Sequence, residues 1–147
     1  MTDPRLQGFT PVVELMHRIR DSGNDWPKVR LSFNDNPLIL SVAGDKARAP
    51  GSINLTDGGS YGQNKWYGRI DTDGSFTPAE AARNLAVGDK AELWALLERL
   101  RTGDAERVFA EYGHRFGVCC ICGRELTNER SVSDGIGPVC KSRAFGS

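Results

Sequence analysis

All four cysteines of this 147-residue chain fall after position 118, three of them in Cys119-Cys120-Ile121-Cys122 and the fourth at Cys140. That clustering constrains the fold more than any other feature, because neighbouring thiols ligate a metal, pair as disulfides or pack as small apolar groups. The opening residues, Met1-Thr2-Asp3-Pro4-Arg5, lack the basic, apolar and small-residue regions of a secretory signal, so the expected location is the cytoplasm. In a reducing compartment, clustered cysteines favour metal over disulfides.

Zinc takes four ligands in a tetrahedron, and a Cys-x-x-Cys turn presents two sulfurs to one ion at about 2.3 Å. Cys119 and Cys122 have that spacing, and Gly123 follows directly, where the backbone can turn and aim its amides at the thiolates. Seventeen residues separate Cys122 from Cys140, enough for a hairpin that returns a third sulfur, with Gly135-Ile136-Gly137-Pro138 shaping its approach. The fourth ligand is open: Cys120 adjoins Cys119 too closely to bind easily, and Cys140 has no cysteine two residues away. His114, five positions before Cys119, would complete a Cys3His site, and its competitors are Asp134 or a ligand from solvent or a second copy. The plainer alternative is four buried free thiols; against it stand the tight cluster, the glycine and the workable distance of Cys140. Beyond Val118, Ile121, Leu126, Val132, Ile136 and Val139 the segment has few apolar residues, so the metal would supply much of its folding energy and zinc would be structural.

Two segments, Cys122-Gly123-Arg124-Glu125-Leu126-Thr127 and Gly135-Ile136-Gly137-Pro138-Val139-Cys140, together resemble an uncharacterised zinc-binding domain family found in phage and prophage proteins. The resemblance covers about 30 residues. It implies a module that is sometimes attached to helicase-like ATPases and other DNA-handling proteins, hence a place beside nucleic acid, and it implies no biochemical activity of its own.

Upstream, Val12, Leu15, Met16 and Ile19 recur at helical spacing after Thr10-Pro11, with Gly23 as a stop. From Lys28 the period changes to two: Val29, Leu31 and Phe33 alternate with Arg30 and Ser32, and Leu38 through Val42 follows the turn Asn34-Asp35-Asn36-Pro37. Further strands are expected at Ser52–Thr56 and Lys65–Asp71, the first followed by the loop Asp57–Ser60 and the second by the turn Thr72–Ser75. Thr77-Pro78-Ala79-Glu80 has capping-box spacing, which predicts a short helix. Leu93, Leu96, Leu97 and Leu100 form one stripe of a longer helix, and a last helical turn or two from Asp104 would end at Gly113. The expected class is α+β: a small antiparallel sheet with helices in residues 1–112, including a helical connector, and a zinc-ribbon or treble-clef-like module in residues 113–147.

Lysine plus arginine balance aspartate plus glutamate at 19 each, so no global field gathers polyanions, and any nucleic-acid surface is local. No apolar run approaches the roughly 18 residues of a membrane span. Around the cysteines, Arg115, Arg124, Arg130, Lys141 and Arg143 face only Glu125, Glu129 and Asp134 in number. Such a patch would contact phosphates, of DNA ahead of RNA, while Trp66 and Tyr67 would stack on unpaired bases if they face outward. Adjacent strand residues point to opposite sides, so one aromatic inside and one outside is the expectation. The alternative is an adaptor or inhibitor that binds a host or phage protein. Enzymatic signatures are missing: there is no phosphate-binding loop, nucleophile elbow or His-Glu-x-x-His pair, and His17 and His114 are the only histidines.

Overall fold

The computed structural model describes residues 4–22, 27–59 and 64–146; the expected helix stop at Gly23 and the loop residue Ser60 lie outside them. A short 3-10 helix (Pro4–Leu6) precedes helix α1 (Thr10–Asp21), which buries Val12, Val13, Leu15, Met16 and Ile19 along one face. Five strands follow in sequence and in space: β1 (Lys28–Phe33), β2 (Asn36–Val42), β3 (Ile53–Thr56), β4 (Trp66–Ile70) and β5 (Phe76–Pro78), all paired antiparallel. A meander of this kind needs only local turns, and Asn34 and Asp35, both at positive φ, make the two-residue turn between β1 and β2.

Alternation in β1 puts Val29, Leu31 and Phe33 inside and leaves Lys28 and Arg30 outside, as the period of two requires. The inner face continues through Leu38, Leu40, Ile53, Leu55, Tyr67, Ile70 and Phe76 and is covered by the helices. Tyr67 packs edge-on against Phe33, and Phe76 packs against both Phe9 and Trp94.

The capping box expected at Thr77–Glu80 is replaced by strand. Thr77 pairs with Arg69 in β5, and helix α2 (Glu80–Arg83) begins after Ala79 with no side-chain cap. The Ala79 amide bonds the Tyr67 carbonyl, so pairing with β4 outcompetes the local cap.

Helix α3 (Val87–Arg101) buries Leu93, Leu96, Leu97 and Leu100, the stripe read from the sequence. Helix α4 (Ala105–Phe116) runs past Gly113, where a stop was expected, and ends at left-handed Gly117. Gly113 serves close approach instead: a Cβ there would overlap the carbonyl oxygen of Gly135. Two short helices, α5 (Glu129–Asp134) and α6 (Pro138–Phe145), complete the chain.

The expected boundary between residues 112 and 113 falls within α4. One continuous buried cluster joins the sheet and helices to Cys119, Cys120, Ile121, Ile136, Cys140 and Ala144. Helix α6 lies against α1, the Arg18 guanidinium donates to the Ala144 carbonyl at 3.1 Å, and Phe109 meets Phe145 edge-on.

Candidate metal centre

After Gly117 the backbone folds into a tight knuckle. Val118 bridges Glu125 antiparallel, the Cys119 amide donates to the Arg124 carbonyl at 2.9 Å, and the Gly123 amide donates to the Cys119 carbonyl at 2.8 Å. Gly123 holds φ at 75°, the left-handed conformation that closes the turn, as its place after Cys122 suggested. The knuckle is docked on the sheet edge, where the Arg30 amide of β1 donates to the Cys120 carbonyl at 2.8 Å.

The return path is set by two punctuated helices. Asn128 caps α5 by accepting from the Ser131 amide at 2.8 Å, and left-handed Gly135 ends it against α4. Gly137 then caps α6, Pro138 enters its first turn, and Cys140 sits in that turn, where helix amides favour a thiolate.

These elements bring the sulfurs of Cys119, Cys122 and Cys140 to within 4.8 Å of one another, close enough to hold a metal ion. Sulfurs at 2.3 Å from a tetrahedral ion would lie about 3.8 Å apart, so small side-chain adjustments reach ligand geometry. All three are free thiols, with Cys119 buried and Cys122 exposed.

The electrostatics suit a thiolate. The Cys140 thiol hydrogen-bonds to Cys119 and, with the backbone amides of Cys122, Gly137 and Ile121, holds the Cys119 pKa well below the ordinary thiol range despite burial. Cys140 is pushed up as the other member of that hydrogen bond, with burial adding to the effect. Cys120 stands apart: burial raises its pKa strongly, and its side chain belongs to the core.

A concavity of about 410 Å³ opens over the sulfurs and is walled by Arg124, Glu125, Thr127, Asn128, Ser131 and Arg143. His114 lies elsewhere: its Nε2 is 2.8 Å from the Ser133 carbonyl oxygen, and it is not in the group of close donors. Asp134 likewise stands outside that group, 3.7 Å from both the Lys141 ammonium and the Arg130 guanidinium. The structure thus gathers three of the expected ligands and not the fourth.

The five basic residues of the segment divide. Arg115 pairs with Asp35 and lies over the Phe116 ring, Arg130 approaches Asp134, and Lys141 lies between Asp134 and Glu106. Arg124 and Arg143 are exposed, have no carboxylate partner among the described residues, and line the concavity. Arg30 of β1 approaches the knuckle from the sheet, its guanidinium standing beside Gly123. Sequence reading missed Arg30, since nothing in the local pattern of β1 says which loop will dock there. Trp66 and Tyr67 lie far along the sheet and split as adjacent strand residues must: Trp66 is 43% exposed and Tyr67 only 2%.

Among the described residues no helix is long and apolar enough to cross a membrane. No curated protein and no solved structure matches the chain. Residues 109–145, from the middle of α4 to the end of α6, match the model of a family of unknown function, DUF6011, so the similarity coincides with the segment that builds the three-sulfur site.

Proposed function

We propose that this chain is a small, non-catalytic accessory protein whose C-terminal module is organised by a structural zinc ion and binds nucleic acid, DNA ahead of RNA. Three thiols favour a soft, borderline ion such as zinc over magnesium or calcium, which prefer oxygen ligands. The knuckle carrying Cys119 and Cys122, followed by a helix carrying Cys140 in its first turn, is the arrangement of a treble-clef-like module. The fourth ligand is a water or an oxygen from the concavity wall, since His114 is turned to Ser133.

The observation that carries the nucleic-acid reading is the pair Arg124 and Arg143, two exposed residues that line one concavity and have no carboxylate partner among the described residues. An unneutralised arginine is a phosphate ligand in waiting, whereas Arg115, Arg130 and Lys141 already spend their charge on acidic neighbours. A setting in the cytoplasm beside phage-type DNA-handling machinery fits this reading.

Titration of labelled DNA and RNA with metal-loaded protein over a range of salt tests it. Replacing both arginines (R124A/R143A) should weaken binding and reduce the salt slope by about one per arginine removed. No binding at low salt would sink the reading.

That outcome would favour a protein-binding adaptor. Its specific support is apolar exposure on the same module, with Val139 62% and Val132 50% accessible.

A further inference from the structure

The helices cover one face of the sheet and leave the other open. On that open face the strand register aligns side chains into two rows. Arg30 pairs with Ile39, Ile39 with Thr56, and Thr56 with Trp66, while the parallel row runs Lys28, Ser41, Asn54, Arg69. The first row therefore begins at an exposed indole and ends at a guanidinium that stands beside Gly123 of the cysteine knuckle.

We infer that this open face takes single-stranded nucleic acid, with a base stacked on Trp66 and the adjoining phosphates carried along Lys28 and Arg30 towards the knuckle. The inference rests on the nucleic-acid reading of the module and specifies which form of nucleic acid it takes and by what path.

Three observations carry it. First, a groove of about 450 Å³ lies on this face, lined by Trp66, Ile39, Thr56, Asn54, Asn64 and Lys28. It offers an aromatic wall beside polar groups, the mixture that suits a base better than an apolar peptide. Gly58, at φ +83°, lets its own backbone pack against Ile39, since a Cβ there would stand 2.8 Å from the isoleucine.

Second, the side chains of Ser41, Asn54 and Asn64 make no hydrogen bond among the described residues and remain available to a base edge or sugar. Third, the charge is complementary: Lys28 and Arg30 are exposed and have no carboxylate partner among the described residues, and the nearby Asp71 is engaged by Arg69 at 2.8 Å. Strand spacing of about 4.8 Å sets Trp66 roughly 14 Å from Arg30, a span that a short run of unpaired nucleotides covers.

Paired bases already stack on each other and cannot offer a free face to an indole, whereas every unpaired base can. Preference for single strands follows from the chemistry of Trp66, and salt dependence from Lys28 and Arg30.

The test is fluorescence polarisation with a labelled oligothymidylate and a duplex of equal length, using the full metal-loaded chain. W66A should weaken single-strand binding by about tenfold or more while duplex binding stays unchanged, and W66F should recover most of the loss. K28A/R30A should lower the single-strand salt slope by about 0.7 per cation removed. Single-strand binding unchanged in both W66A and K28A/R30A, yet weakened in R124A/R143A, would overturn the open-face path and leave the module reading standing. Absence of binding by the unaltered protein would overturn both. A competing thymidine mononucleotide as effective per molecule as the oligomer would also overturn the path, reducing the groove to a mononucleotide pocket.

Discussion

Between Val29 and Phe76 the chain buries large aliphatic and aromatic side chains on one sheet face, whereas between Val118 and Phe145 the buried side chains are those of Cys119, Cys120, Ile121, Ser131, Ile136, Cys140 and Ala144. Each fully buried aliphatic or aromatic side chain of the sheet contributes about 1.5–3 kcal/mol, so its stability is spread over many contacts. The module has only two large aliphatics in its buried set and gathers three thiols at one point. Truncating one side chain costs the first region a few kcal/mol but leaves the rest of its core in place. With the proposed zinc in place, losing one thiol removes the organising centre of the second.

The largest expected effect separates the two most sharply. C122S and C140S should each lose the metal and the order of residues 118–146, because a structural zinc contributes on the order of 10 kcal/mol to a small metal-folded unit. Amide exchange should accelerate throughout that segment while the amides of β2 and β3 stay protected. Equal exposure of sheet and module would mean that they share one cooperative fate.

A smaller effect tests how the module is held in place. G113A forces a methyl group into the Gly135 carbonyl, so α4 and the α5 terminus must move apart, at about 1–3 kcal/mol. Thermal melting should fall while bound metal per chain stays constant, because the knuckle and Cys140 lie beyond the contact. Loss of metal in this variant would show that the glycine contact also sets the ligand geometry.

The smallest effect lies on the surface, where Arg99 joins Asp104 and Glu111. The hydrogen bond from Arg99 holds the Glu111 pKa below its ordinary value. Its stabilisation is therefore present above the unfolded carboxylate pKa of about 4.3 and is lost as pH falls through the lower folded value. As the pair is largely exposed, E111Q should cost less than about 1 kcal/mol at neutral pH and remove that part of the acid dependence, as read in urea melts at several pH values.

The sheet was legible because its first strands alternate cleanly, and the three-thiol cluster because Cys-x-x-Cys-Gly and a third cysteine at hairpin distance favour convergence on one point. What local sequence concealed came from distant pairing. Thr77–Glu80 reads as a capped helix start, but β4 claims the backbone of Thr77 through Ala79. Gly113 reads as a helix stop, but its missing side chain makes room for Gly135, which lies across the module. Cys120 was legible as a poor ligand beside Cys119, but not as the residue whose side chain joins the core and whose carbonyl accepts the β1 edge. Arg30 enters the site only because that edge docks there, and no pattern within six residues of strand announces it.

Metal content of the native protein, measured together with amide exchange before and after chelation, tests the central claim most directly. One zinc per chain is expected, and its removal should release residues 118–146 while β2 and β3 remain protected. A metal-free chain with a fully protected C-terminal segment, or one zinc retained by both C122S and C140S, would contradict the assignment of the three-cysteine centre.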